Sequence, residues 1–350
     1  MDKLLETDII NHVKSIYDYM QVYIKNYKPE KWYKSQLEFK IKKDKEINGK
    51  AWCDNDIDHI EINSGVIDLY YDYFSKILEQ DKNTILKILI NKELEDDELK
   101  EMSYEGIIYK KGIPIIYDSK LVDDSKAKLL EIFVSRFIVT HEIGHILNGH
   151  CKLLASKSQK ETHFIPMYYT ANSGSMSSQE ALDRRTMEMD ADAFATTQSM
   201  LHVLYLYSDF DRQVKIKMME PKDIFYWWAF AIRSHFLVCQ DRFVDNRFHK
   251  KMTHLPSNAR WIMILTTALD LLPQYNITDQ EKKCFREKII QGATEAEIKF
   301  NNIKFTKYDV FNEIAENKDF ETYRSEVNYH WERMKSLLLE YSRLPLFNES

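Results

Sequence analysis

His141-Glu142-Ile143-Gly144-His145 decides how this chain is read. The residues before it, Leu129, Leu130, Phe133, Val134, Phe137 and Ile138, recur at helical spacing on one broad apolar face, so the five residues continue a buried helix. On a helix, positions i and i+4 share a face, and both imidazoles of an HExxH sequence reach one metal ion. Glu142 falls about one hundred degrees around from His141, beside that ion. A general base that takes a proton from an activated water sits there. Asp123-Asp124-Ser125 reads as the cap region of this helix and Asn148-Gly149 as its stop. The motif points to a zinc hydrolase, and first of all to a peptidase.

Two histidines do not complete a catalytic zinc site, which takes three protein ligands and keeps one position open. The best third ligand is Glu188, in Glu188-Met189-Asp190-Ala191-Asp192-Ala193-Phe194-Ala195. Glu188 and Asp192 stand at i and i+4 and share a helical face. Ala191 and Ala195 beside them, and Gly144 on the other side, allow two helices to approach closely. Glu188 then binds zinc, and Asp192 accepts a hydrogen bond from the far nitrogen of a ligand histidine, fixing its tautomer. The competing reading is an acidic pair that solvates a helix surface. His150 and Cys151 are weaker ligand candidates, because the HExxHxxGxxH pattern has its third histidine where Cys151 stands, and its glycine is out of register here. Asp190 points away from Glu188 on a helix, and His150 reads as a helix-end residue that favours the dipole.

A zinc peptidase also gains from a donor to the developing oxyanion. Thr253-His254-Leu255-Pro256-Ser257-Asn258-Ala259-Arg260 offers two groups. His254 is a candidate oxyanion donor, and Arg260 is a candidate partner of Asp192, of Glu188 or of a substrate carboxylate. The alternative is a surface turn capping a helix that starts near Pro256. His249 and Tyr168 or Tyr169 are fallback donors.

Bulk properties frame these residues. A chain of 350 residues supports a large core in one lobed domain or two. Its 44% hydrophobic and 30% charged content is that of a soluble globular protein. Only 8 glycines beside many Tyr, Phe and Ile indicate a mainly helical chain with few tight hairpins. A net charge of -6 gives no reason to expect nucleic-acid binding. The four cysteines are dispersed without a CxxC pair and the N-terminus has no signal-peptide pattern, which leads us to expect reduced thiols and a cytoplasmic address. Ile224-Phe225-Tyr226-Trp227-Trp228-Ala229-Phe230-Ala231-Ile232 is too short to span a bilayer and reads as a buried helix.

Elsewhere, residues 4–27 look like an amphipathic helix, Leu37–Ile41 and Asp58–Asn63 alternate like strands, and Asn48-Gly49 and Asp54-Asn55-Asp56 mark turns. Val66–Leu78 reads as a helix, Glu93–Glu101 as a solvated charged face, and Gly112–Ile116 as a short strand. Residues 156–178 form a long polar loop that is a candidate lid, Ser178 caps a helix over 179–207, and further helices run to about residue 340. The expected divisions are an N-terminal lobe with a small sheet (1–125), a zinc-binding helical lobe (126–270) and a helical extension (271–350).

HEIGH, then EMDADAFA, then HLPSNAR is the motif order of gluzincins, and it is similar to membrane peptidases of the HtpX and CAAX-prenyl type. That resemblance implies Glu188 as third ligand and places His254 and Arg260 in the site. Residue 255 is Leu where those families have Pro, and the missing transmembrane helices separate this chain from them. Among soluble proteins the chain resembles the phage-exclusion Lit peptidase family. The resemblance rests on HEIGHILNGH, on Ile47-Asn48-Gly49-Lys50-Ala51 and on Ile60-Glu61-Ile62-Asn63-Ser64-Gly65-Val66-Ile67, and covers residues 45–265. Lit-like enzymes are associated with phage defence through cleavage of host elongation factor Tu, a target that motifs do not carry over. ImmA/IrrE-type regulatory peptidases are a neighbouring possibility, and a catalytically silent zinc-containing binding protein is another. In gluzincins a strand beside the zinc pairs with the substrate backbone. Ile60–Asn63 is the candidate edge strand, with an interior strand as the equal alternative. The expectation is thus an α+β, mainly helical gluzincin fold with a zinc ion and a protein or peptide substrate.

Overall fold

Ile9, Val13, Tyr17, Met20 and Ile24 repeat at three- and four-residue steps and form the buried stripe of α1 (Lys3–Tyr27). The computed structural model describes residues 3–27, 36–54, 57–91, 107–110, 113–116, 119–157, 165–166, 177–210, 214, 219–242, 253–304, 318–344 and 346. After α1 come β1 (Gln36–Lys42), β2 (Gly49–Asp54), β3 (Ile57–Asn63) and α2 (Ser64–Asn91), then a hairpin of β4 (Ile107–Lys110) and β5 (Ile113–Ile116). The HExxH residues close α3 (Ser119–Leu147), which is followed by α4 (His150–Lys157), the two-residue β6 (Ile165–Pro166) and α5 (Ser178–Ser208). The chain continues through α6 (Asp223–Arg242), α7 (Ser257–Leu271), α8 (Asp279–Lys304) and α9 (Lys318–Tyr341). The protein is mainly helical, with one four-stranded sheet and the separate β4–β5 hairpin among the described residues.

Three boundaries differ from the sequence reading. α3 begins at Ser119, so Asp123-Asp124-Ser125 lies inside the helix rather than capping it. The apolar stripe alone does not say how far a helix extends upstream, and here one more turn precedes these polar residues. The cap of α5 is Ser177, one residue before the expected Ser178. Ser177 Oγ accepts the Glu180 N–H while the Glu180 carboxylate accepts the Ser177 N–H, a reciprocal capping box. α2 extends thirteen residues beyond Leu78, to Asn91.

The sheet order is β1-β3-β2-β6, with β1 and β3 parallel and the other pairs antiparallel. β3 is therefore an interior strand, and Ile60–Asn63 is not the sheet edge expected from the gluzincin comparison. Alternation reports which face a residue takes but not which strands flank it in the plane, so the sequence left both readings open. β2 lies between the two expected turns. Within the loop expected over 156–178, Lys157 ends α4 and Ile165–Pro166 pairs with Ala51 and Lys50 of β2. Glu93–Glu101, His249, Tyr168 and Tyr169 lie outside the described residues.

One apolar cluster links Val13 of α1, Ile60 of β3, Phe74 of α2, Phe137 of α3, Trp228 of α6, Trp261 of α7, Phe285 of α8 and Trp331 of α9. The aromatic run of α6 is buried as a core helix, and α8 crosses it so closely that a Cβ on Gly292 would stand 2.1 Å from the Tyr226 carbonyl oxygen. No helix among the described residues is long and apolar enough to cross a membrane. All four cysteines are free.

The junction after α3 is held by the far end of the chain. Gly149 takes φ +85°, a left-handed conformation that glycine adopts without a Cβ penalty, and a side chain there would also strike the backbone of Tyr341 and Ser342. The Arg343 N–H donates to the Leu147 carbonyl at 2.9 Å, satisfying a helix-end acceptor. Its guanidinium reaches Asp58 of β3 at 2.6 Å, and Tyr17 of α1 and Cys53 of β2 donate to the same carboxylate. Arg343 and Asp58 are both fully buried, and the arginine beside Asp58 outweighs the effect of burial and keeps its carboxyl below the usual range.

Candidate metal centre

α3 and α5 pack side by side, and small residues set their separation. A Cβ on Gly144 would lie 3.1 Å from Phe194 Cδ1 and 3.4 Å from Ala191 Cα, while Ala191 and Ala195 are fully buried. This close approach carries Glu188 of α5 to the two histidines of α3. His141 Nε2 and His145 Nε2 stand 3.0 Å apart, and they lie 3.3 Å and 3.4 Å from the two oxygens of Glu188. Four ligands at zinc–nitrogen and zinc–oxygen bond lengths stand about 3.3 Å from one another on a tetrahedron, so the three donor groups are already gathered at ligand spacing. His141, His145 and Glu188 are the group found among the described residues that could hold a metal ion. Both Glu188 oxygens are buried and lack a hydrogen-bond partner, a costly arrangement that a bound cation relieves.

The surroundings fix the ligands' protonation. Burial opposes a charge on either imidazole. On His141, contacts with Asp192 and Glu188 outweigh it and push the pKa up to about 10, whereas on His145 burial wins and the pKa falls to about 3. Burial also opposes the Glu188 carboxylate, but His254, His145 and His141 hold its pKa well below the usual range. An ionised Glu188 and a neutral His145 are forms that could hold a cation, and His141 would have to give up its proton to join them.

No family model, curated protein or solved structure matches this chain. The site therefore stands on its own geometry.

Asp192 Oδ1 lies 2.9 Å from His141 Nδ1, the nitrogen that faces away from Glu188. Arg260 grips the same carboxylate with two bonds, Nε to Oδ2 at 2.7 Å and Nη2 to Oδ1 at 2.8 Å. Of the three partners considered for Arg260, Asp192 is the bonded one; Glu188 Oε2 is 3.6 Å away. His254 Nε2 is 3.3 Å from Glu188 Oε2, and Thr253 Oγ1 is 2.9 Å from its Nδ1. His254 and Arg260 are buried, so this segment is no surface turn, and α7 starts at Ser257 behind Pro256 as its N-cap.

Glu142 is fully buried, and neither carboxylate oxygen has a hydrogen-bond partner. Burial pushes its pKa up to about 8. β2 closes over it: a Cβ on Gly49 would stand 3.0 Å from Glu142 Oε1. The sequence reading took Gly49 for a turn residue, and no spacing signal ties it to Glu142.

Two further residues were given other roles. His150 does stand at a helix end, as the first residue of α4, but it is fully buried, with Nδ1 2.9 Å from His145 Nδ1. It sits on the far side of His145 from Glu188 and is no ligand; Cys151, also buried, stands outside the ligand cluster. Asp190 does turn away from Glu188, and it meets His150 and Asn148 instead.

Proposed function

We propose that this chain is a zinc-dependent endopeptidase acting on a cytoplasmic protein. The reading is carried by the convergence of His141, His145 and Glu188 with an unpartnered Glu142 carboxylate beside them on the same buried helix. The three residues would hold the ion, which would supply Lewis acidity and lower the pKa of a water. Glu142 takes the proton from the attacking water and passes it to the leaving nitrogen. A pKa raised by burial suits that exchange, because the carboxyl then accepts and returns a proton near neutral pH. His254, whose Nε2 lies 3.3 Å from Glu188, serves as the donor to the developing oxyanion, and Asp192 with Arg260 keeps His141 oriented.

β2 is the strand that fits an extended substrate. Gly49 abuts Glu142, and on the side away from β3 its strand pairing among the described residues is confined to Lys50 and Ala51 with β6. Backbone pairing along such an edge gives affinity without demanding one side-chain sequence. A role in phage defence follows from the resemblance to Lit-like peptidases, and a regulatory peptidase of the ImmA/IrrE kind shares the same chemistry.

The deep burial of Glu142 favours a second reading, a zinc-containing binding protein without turnover. Against it, a structural zinc is closed by four protein ligands, and among the described residues the cluster supplies three. Comparison of new N-termini in cells expressing wild type and Glu142→Ala separates the two. Cleavage products present only with wild type support the peptidase. Identical N-termini in both, with zinc retained, leave the binding protein.

A further inference from the structure

His141 and His145 both need an outer partner if their Nε2 atoms are to face a metal, and the two partners differ. His141 has a carboxylate, Asp192. His145 has an imidazole: its Nδ1 meets His150 Nδ1 at 2.9 Å. A neutral imidazole carries one N–H, so a His145 that gives Nε2 to a metal keeps its proton on Nδ1 and donates it. His150 Nδ1 must then accept, which places the proton of His150 on Nε2. That nitrogen lies 3.1 Å from Asp190 Oδ2, and Asn148 Nδ2 donates to the same oxygen at 2.5 Å. His150, His145 and Asn148 are buried and Asp190 is nearly so. This tautomer turns the His150 Nε2–H to the Asp190 carboxylate at contact distance, although the two are not aligned as a hydrogen bond.

We propose that His150 and Asp190 are positioning residues of the metal centre, a relay that fixes the tautomer and ring plane of His145. The role rests on the metal-centre reading above. His150 sits five residues after His145, across the break at Asn148-Gly149. The relay therefore bridges α3, α4 and α5, holding the ligand helix to the helix that carries Glu188.

The test is zinc affinity, measured by competition with a chromophoric chelator on the full chain, with thermal midpoints recorded alongside and the visible spectrum taken after cobalt loading. His150→Leu keeps bulk but offers no acceptor, His150→Gln restores an acceptor oxygen, and Asp190→Asn keeps shape without the charge. Outer partners of metal ligands are worth about 10–100-fold in affinity. His150→Leu is expected to lose that much and to shift the cobalt bands, with His150→Gln recovering part of both. A purely structural role would lower the midpoint of the Leu and Gln variants alike and leave their affinities equal. Wild type that binds zinc, with affinity unchanged in folded His150→Leu and Asp190→Asn, overturns the relay alone. If His150→Leu does not fold, Asp190→Asn decides by the same criterion. Wild type that binds no zinc overturns the metal centre and the relay together.

Discussion

Gly49 illustrates how a residue without a functional group can govern a site. Any side chain there enters the space held by Glu142 Oε1. Gly49→Val is expected to displace the carboxylate, lowering peptide turnover at least about tenfold, the worth of a small misplacement of a catalytic group, with zinc content unchanged. Peptide cleavage and metal analysis on one preparation check both halves. Arg260 acts through charge rather than shape. Without it, Asp192 is a buried carboxylate facing only His141. Arg260→Met should cost about 3–5 kcal/mol, as breaking a buried ion pair does, read as a fall in the urea midpoint. Arg260→Lys should recover only part of that, because a lysine cannot make the two-bonded fork. The gathering of His141, His145 and Glu188 was legible in the sequence because helical periodicity places i and i+4 on one face. His150 was not, because its approach to His145 crosses a helix break and no periodicity survives the left-handed Gly149.

At the scale of elements, the α3–α5 contact is what assembles the ligand set, and Gly144 is its narrowest point. Gly144→Ala places a Cβ 3.1 Å from Phe194 Cδ1 while removing a helix-destabilising glycine worth about 1 kcal/mol. The two effects should nearly cancel. Gly144→Val overpacks the seam and should cost about 1–3 kcal/mol. Denaturant midpoints for the pair distinguish a tight seam from a loose one: equal midpoints would argue that α3 and α5 can move apart freely. The helices were readable from apolar spacing, including the aromatic run of α6. The sheet was readable only strand by strand. Ile60 and Ile62 alternate with Glu61 whichever strands lie beside β3, and Lys50-Ala51-Trp52-Cys53 is too short, between turn-forming residues, to announce itself.

Across the whole molecule, histidines shielded from water set the response to acid: His235 is buried, and His12 and His202 are half-buried. Burial holds His12 down to about 2, His202 to about 4 and His235 to about 3. Unfolded, each would take a proton near its ordinary value of about 6.5. Above that pH neither state is protonated and the groups are silent. As pH falls below it, the unfolded chain binds protons that the folded one refuses, so stability drops with decreasing pH by about 1.4 kcal/mol per unit for each such histidine. Carboxylates such as Asp58 enter only at lower pH, near their ordinary range. The unfolding midpoint should therefore fall steeply between pH 6.5 and 5, and His202→Gln should make that slope shallower. A flat profile over this window would mean that these rings are protonated in the folded protein.

Arg343 gives the molecule an order of events. A ribosome releases α1, the sheet and the HExxH helix long before it makes the arginine that neutralises Asp58 and closes the end of α3. Until then Asp58 has Tyr17 and Cys53 as donors but no cation. A nascent chain that has already emitted His141, His145 and Glu188 thus carries the ligands without the fastening that joins α1, β3 and α3. Ribosome-bound chains stopped before and after Arg343 should differ in resistance to a brief protease pulse, with protection rising sharply once the arginine has cleared the tunnel. Fastening of α1, β3 and α3 to one another would then wait for Arg343, so that the order of synthesis itself times when the scaffold around the cluster locks.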